Sequence, residues 1–570
     1  MDKRDVARTL EQIAAILEIK GENPFKVRAY ENAARAVDAL SEDLGALIAG
    51  KRLSEVRGIG PSIQKNVEEL WTTGKMKYYE DLCETVPVGW FDMMRIPGLG
   101  PKRIRTLCDL LQIASVEALK EAAEGGRIRG LKGFGEQSEK KILEGIAFLE
   151  RGGRRELAAV VRPIAEEILA ALRDRKDVIR AELGGSLRRW LETVKDVDLL
   201  VATKKPDAVA KAFLKLLPQA SITAQGDTKV SVRLPTGLAV DLRLVTNEQF
   251  PFALHYFTGS VAHNVRVRQR AIERGFSLNE YELSGGEHAP IASEADLFQV
   301  LGMAYVEPEL REDRGEIEAA EAGRLPGLIT ARDLKGILHC HTTYSDGKST
   351  LEEMAEGAVA AGAEYLGISD HSQSVRYAGG LSEEDLLRQA KEIDKWNSKS
   401  RDLRILKGAE VDIMPDGTLD YPDRVLERLE FVVASVHTNL NMGEDEMTAR
   451  VVKALRNKHV SILAHPTGRL LLQREGYRIR FDEVFRVAAQ EGVVVEINAH
   501  SRRLDLDWRE IPAGKALGVK FAIDPDAHHV SGYQDLRLGI GVARKGWLGK
   551  DDVVNTLPVE GALELFRARR

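Results

Sequence analysis

"GILHCHTTYSDG", Gly336–Gly347, is the stretch that decides how the last third of the chain is read. A short apolar run delivers His339 and His341, and Asp346 follows five residues later. Two imidazoles and a carboxylate so close behind a strand-like run form one side of a metal site. Six comparable runs follow: "YLGISDH", "RILKGAE", "FVVASVH", "SILAHP", "VVVEIN" and "KFAIDPDAH". Helix-like segments such as "EDLLRQAKEIDKW" separate most of them, an alternation that predicts parallel strands closed into a seven-stranded β/α barrel. A barrel of that kind gathers its chemistry at the C-terminal strand ends. Collecting those ends gives His339, His341, Asp346, His371, Glu410, His437, His465, Asp526 and His528. A single strand-end histidine is more often a hydrogen-bonded core residue, but so many at one end of successive strands are not a core pattern. Six imidazoles, three carboxylates and no sulfur suit two or three borderline ions, Mn²⁺ or Zn²⁺, and a hydrolytic site. His459, His500 and His529 fall off the pattern and read as structural.

A second acidic group lies upstream in "GGSLRRWLETVKDVDLLV", residues 184–201. Asp196 and Asp198 stand at i and i+2 of a strand and share one face, so both can hold the same ions. Asp241, in "LAVDLRLV", completes a triad from a neighbouring strand. Gly184 and Gly185 let backbone approach phosphates and Ser186 can donate to them, which together have the logic of nucleotidyl transfer. From about residue 155 the strands and helices mix as in an α/β domain. Residues 307–335 are charged and carry Pro308 and Pro326, so a linker is expected there.

The first 150 residues read as helices. Val6, Leu10, Ile13, Ala14 and Leu17 recur at helical spacing, as do Ala33, Ala34, Val37 and Leu40. A glycine pair then repeats in "VRGIGPSIQKNV" (Gly58, Gly60), "IPGLGPKRIRTL" (Gly98, Gly100) and "LKGFGEQSEKKI" (Gly133, Gly135). Each pair opens an amphipathic helix, the pattern of a helix–hairpin–helix. Its glycines allow a tight turn and a phosphate approach, and the next helix start supplies N–H donors. A single such pair is better read as a capping turn; the repetition points to sequence-independent binding of the DNA backbone. Bulk composition adds little to that, with a net charge of −6. Three scattered cysteines, a charged start and the lack of a long apolar run favour a cytoplasmic chain without disulfides or membrane span.

The barrel motifs, with HxH and SDG, DH, a Glu, SVH, AHP and DAH in order, resemble the PHP family over residues 336 to about 545. That resemblance implies a trinuclear phosphoesterase. Residues 1 to about 310 resemble the X-family DNA polymerases. "GSLRR" matches their triphosphate turn, with Gly185, Ser186 and Arg189, and Arg151 aligns loosely with a further triphosphate contact. "YFTGSVAHNVRVR" matches the nucleotide pocket: Tyr256, Phe257 and Gly259 at the sugar, Asn264 at the incoming base, Arg268 at the template minor groove. The combination is similar to the PolX arrangement of bacteria and archaea.

The resemblance implies a lyase-type helical domain at 1–80 and a second helical DNA-binding region at 81–150. A catalytic palm at 151–245 follows, then a nucleotide-selecting subdomain at 246–310, a linker at 311–335 and the PHP barrel at 336–570. It implies Mg²⁺ or Mn²⁺ at the polymerase triad, gapped or nicked DNA and deoxynucleoside triphosphates as partners, and a monomer. Expected activities are gap filling in excision repair or end joining, a 3′→5′ exonuclease or 3′-end phosphoesterase, and abasic-site cleavage. The competing readings are a small-molecule phosphatase with a relict polymerase region and a non-catalytic DNA-end binder.

Several residues depart from the family pattern. Lys195 stands where a glycine usually precedes the first Asp, and Trp190 where a small residue is common. Ala239 occupies the position of an arginine that orients the third Asp. Asn66 occupies that of the Schiff-base lysine, with Lys65 one residue off. Lys26 and Tyr30 remain as contacts for a 5′-phosphate.

Overall fold

The computed structural model describes residues 3–38, 40, 44–56, 58–87, 89–94, 96, 99–152 and 155–569. The chain forms two compact units, Met1–Arg154 with Leu472–Arg474, and Arg155–Leu471 with Glu475–Arg570.

The first unit is helical. Lys3–Lys20 and Pro24–Asp38 pack through the periodic residues noted above; Leu10, Ile13, Ala33 and Val37 are fully buried. Pro61–Thr73 and Pro101–Leu111 start at proline directly after Gly60 and Gly100, which serve as their N-caps. Proline suits that first position because its missing N–H would have no partner in the helix.

The second unit holds two sheet systems. A five-stranded sheet runs Val178–Leu183, Asp196–Thr203, Ala239–Val245, Lys229–Arg233, Ser221–Gln225 from edge to edge. Its two acid-bearing strands are parallel neighbours, so Asp198 pairs directly with Asp241. The β/α barrel forms from all the expected runs, as parallel ladders of three and five strands. The run at 404–410 is broken into Arg404–Lys407 and Glu410–Asp412. At Gly408 between them a Cβ would lie 2.4 Å from the Phe431 ring. The ladders join where His371 bridges Glu410, and the ring closes where Cys340 bridges Ala527.

The stretch expected as a linker at 311–335 is folded instead. Glu316–Glu321 is a helix, and Leu310, Ile317 and Ala320 belong to the same apolar cluster as Val267, Leu297 and Phe298. Arg311 is fully buried, with Nη1 2.6 Å from Glu294 Oε1. Part of the charge that suggested a solvated connection is consumed in buried pairs, Arg311 with Glu294 and Glu316 with His263. Among the described residues no helix is long and apolar enough to cross a membrane.

Candidate active sites

Asp196 and Asp198 line a pocket of about 420 Å³ together with Gly185, Ser186, Arg189, Lys195, the Tyr256–Val261 segment, Asn264 and Arg268, and Asp241 stands beside Asp198 on the next strand. Backbone approach at Gly185 is tight: φ is +58°, and a Cβ there would sit 2.1 Å from Asp198 Oδ2. Gly259 is similar, with φ +68° and a would-be Cβ 3.0 Å from Arg189 Nη1. Burial, then the charges of Asp196 and Asp241, push the Asp198 carboxyl up to about 7. Burial and Asp241 also raise Asp196. Carboxylates that crowd and desolvate one another in this way are stabilised by shared cations. Arg188 faces away from the pocket and pairs with Glu294 at 2.6 Å.

At the barrel mouth the structure brings all nine sequence-predicted residues together. Their donor atoms form overlapping groups: His341, Asp346, His371 and His528; His339, Glu410 and His465; His339, His341 and Asp526; His371, Glu410 and His437. Within each group the atoms lie within 4.8 Å of one another. His339, His465 and Asp526 take φ values of 54°, 26° and 48°, a left-handed backbone that non-glycine residues adopt at a cost and that tends to mark functional sites. Burial would raise the Glu410 carboxyl, but His371, His437 and His339 hold it well below the carboxylate range. Burial would lower His437, yet Glu410 and Asp412 carry it up to about 10. His341 goes the other way, down to about 3, through burial and the neighbouring His528 and His371. The buried ring nitrogens His339 Nε2, His341 Nδ1 and Nε2, His371 Nδ1 and His465 Nδ1 make no hydrogen bond. Buried imidazole nitrogens of this kind, set among carboxylates without a hydrogen bond of their own, fit bound divalent cations.

In the helical unit, Gly58 and Gly133 have φ of +104° and +88°. A Cβ at Gly60, Gly100 or Gly135 would meet nothing within 4 Å, so the backbone at each helix start is open to a ligand. Gly98 and the side chain of Arg151 lie outside the described residues. Lys26 reaches the surface with its ammonium 5.4 Å from the Tyr78 ring centroid, whereas Tyr30 is a core residue only 4 % exposed. The Tyr30 hydroxyl accepts from Asn66 Nδ2 at 3.0 Å, and Lys65, next along the helix, is exposed.

Comparison with known proteins agrees in its parts and in the whole. Family models for a helix-hairpin-helix domain match residues 1–76 and for a SAM-like helix-hairpin-helix tandem residues 92–147. The DNA polymerase beta thumb matches residues 253–312 and the PHP domain residues 338–500. The DNA polymerase/3′-5′ exonuclease PolX of Bacillus subtilis is 41 % identical over 560 residues, 97 % of each chain. The chain belongs to the PolX family. Two probable phosphatases match a smaller share of the chain. That of Thermoanaerobacter sp. is 30 % identical over 39 % of this chain and 91 % of its own length. That of Acetivibrio thermocellus is 34 % identical over 33 % of this chain and 78 % of its own.

In this PolX chain the sequence reading missed the residues that hold the site groups in place. Lys229 Nζ lies 2.6 Å from Asp241 Oδ2 and supplies, from the adjacent strand, the cation that Ala239 lacks. Arg155, tied to Thr193 Oγ1 at 2.7 Å, lines the polymerase pocket. Arg243 stacks under Phe257 at 4.5 Å. At the barrel, Glu496 accepts from His339 Nδ1 and from the His465 N–H, and Asp412 takes His437 Nδ1 at 2.8 Å. Asp370 accepts from Thr342 and Gln389 and holds the first loop. Such partners fix a histidine's tautomer and aim its other nitrogen. Part of this was legible, because Asp412 stands two residues from the predicted Glu410 and so shares its strand face.

Proposed function

We propose that this PolX chain is a gap-filling, DNA-directed DNA polymerase and a metal-dependent 3′→5′ exonuclease, with cleavage at abasic sites as a related task. The observation that carries the first activity is the register of Asp198 against Asp241, one strand apart, under the close backbone of Gly185. Asp196, Asp198 and Asp241 would hold Mg²⁺ or Mn²⁺, and Ser186 and Arg189 the triphosphate. Tyr256, Phe257 and Gly259 would shape the sugar pocket, with Asn264 at the incoming base and Arg268 at the template. Divalent ions bound there supply charge neutralisation and a more acidic 3′-hydroxyl. The protein's own part is orientation: Lys229 aims Asp241, and the tight contact at Gly185 fixes Asp198.

Hydrolysis belongs to the barrel, where the nine gathered residues would hold two or three Mn²⁺ or Zn²⁺ ions. Ions bound there supply an activated water and stabilise the phosphoryl oxygens. Glu496, Asp412 and Asn498 keep the imidazoles and Asp526 in position, and Arg503, 3.5 Å from Asp526 Oδ2, sits at the rim. The helical unit would grip gapped or nicked DNA through the turns at Gly58/Gly60, Gly98/Gly100 and Gly133/Gly135. Since Asn66 carries no amine, strong Schiff-base lyase activity is not expected. Polymerisation requires ions that assist a 3′-hydroxyl, whereas hydrolysis requires ions that supply water, so two sites serve two nucleophiles.

Asp198→Ala tests the division of labour by abolishing extension of a gapped duplex while leaving 3′-end hydrolysis intact. His339→Ala with His341→Ala should do the reverse. Extension by Asp198→Ala at the wild-type rate, or hydrolysis by the double variant, would overturn the corresponding half. A protein that hydrolyses histidinol phosphate but extends no primer would support the small-molecule phosphatase reading instead.

A further inference from the structure

Trp190, the bulky residue after the arginines of the triphosphate turn, is explained by the barrel. Its backbone is left-handed, with φ +56°, and its ring is covered on one side by the Arg162 guanidinium at 3.6 Å. On the barrel side it packs against the Leu536–Lys545 helix, where a Cβ at Gly541 would lie 2.5 Å from Trp190 Cε3. One turn further, Lys545 ends that helix as a residue only 1 % exposed. It donates to the Arg189 carbonyl at 3.0 Å, to Glu312 Oε1 at 2.8 Å and to the Glu309 carbonyl at 3.3 Å. The Trp508 ring lies 4.5 Å away. Glu312 Oε1 also accepts from Arg189 Nε at 3.0 Å. Lys545 therefore grips Arg189 twice, directly at the backbone and through a shared carboxylate at the guanidinium. A buried lysine is costly, and its satisfaction by three acceptors on another part of the chain marks a built contact rather than a chance one.

We propose that the barrel helix Leu536–Lys545 is a support for the polymerase pocket, with Lys545 and Gly541 as positioning residues that act through Arg189 and Trp190 on the bound triphosphate. The inference rests on Arg189 holding the triphosphate, as put forward above. Without Lys545, the Arg189 carbonyl loses its tether and the Glu312 carboxylate, short of one cation, draws the guanidinium away from the pocket. The consequence is weaker nucleotide binding with chemistry, DNA grip and the barrel's own hydrolysis unchanged.

The test uses the full chain, single-nucleotide extension on a gapped duplex, and two variants of opposite kind. Lys545→Met deletes the tether at similar volume, and Gly541→Ala pushes Trp190 without removing any polar group. Lys545→Met should raise the KM for the nucleotide about tenfold, the scale of one charge-assisted hydrogen bond, and Gly541→Ala should raise it in the same direction by displacing Trp190, each with kcat within about twofold. Affinity for gapped DNA and 3′-end hydrolysis should stay at wild-type values. In an Arg189→Ala background Lys545→Met should add little, because the two act as one unit. Unchanged nucleotide KM in both variants, or a full tenfold effect of Lys545→Met on top of Arg189→Ala, would overturn the proposal. If Lys545→Met loses hydrolysis and unfolds early, Gly541→Ala decides alone. A wild-type protein that extends no primer refutes the polymerase reading itself, an outcome separate from either of these.

Discussion

Gly185→Ala is a one-carbon change whose effect can be worked from the structure. The new methyl would lie 2.1 Å from Asp198 Oδ2, against about 3.4 Å for ordinary contact, so glycine loop and carboxylate must separate by more than 1 Å. Alanine must also accept φ +58°, at a cost of roughly 1–2 kcal/mol. The backbone term acts on stability and should lower the unfolding temperature by about 1–2 °C, since the shift per kcal/mol falls to roughly 1 °C in a unit as large as Arg155–Leu471 with Glu475–Arg570. The displacement acts on catalysis, since a shift of about 1 Å in a reacting constellation costs on the order of 100-fold, or about 2.7 kcal/mol in the barrier. Single-nucleotide extension on a gapped duplex at saturating Mn²⁺ measures it, with 3′-end hydrolysis of the same preparation as internal control. The expectation is a kcat loss near two orders of magnitude with hydrolysis intact. Extension within threefold of wild type would refute the claim that close packing of Gly185 fixes Asp198.

Three further outcomes follow from contacts outside the triad. Lys229→Met removes the cation on Asp241 and should cost about 10–100-fold in kcat at saturating metal, with DNA affinity unchanged; an unaltered rate would leave Asp241 without need of its partner. Glu294→Gln strips the buried Arg311 and Arg188 of their shared carboxylate and should destabilise the second unit by about 3–5 kcal/mol at pH 7. Burial would raise Glu294, but Arg311 and Arg188 hold it far below its ordinary 4.5, so its contribution is present above that value and lost as pH falls below it. Thermal unfolding from pH 6 to 3 should therefore show a smaller acid loss in the variant, and an equal loss would discount this network. Gly100→Val fills open space at a helix start and should weaken binding to gapped DNA roughly tenfold, equally for all sequences, by blocking one phosphate-to-backbone contact. Undiminished binding in a fluorescence titration would remove that turn from the interface.

The sequence by itself determined whatever is encoded by short-range periodicity. Apolar runs ending in ligand-type residues specified parallel strands with chemistry at one end, because side chains alternate and strand ends of a barrel converge. Asp196 and Asp198, two residues apart, had to share a face, and the repeated glycine pairs had to open helices. Tertiary structure alone decided which groups oppose one another across long separations. Lys229 compensates for Ala239 only because antiparallel pairing sets it diagonally beside Asp241. Glu496 stands behind the candidate metal cluster only because barrel closure carries it to His339, 157 residues away. The charged segment after residue 307 reads as a solvated linker in one dimension, since nothing local tells that Arg311 will meet Glu294 in a dry core. Trp190 departs from the family pattern, and only the packed chain lays the barrel helix against its ring. Local pattern fixes what a residue can do, whereas pairing energies depend on distances that only the packed chain sets.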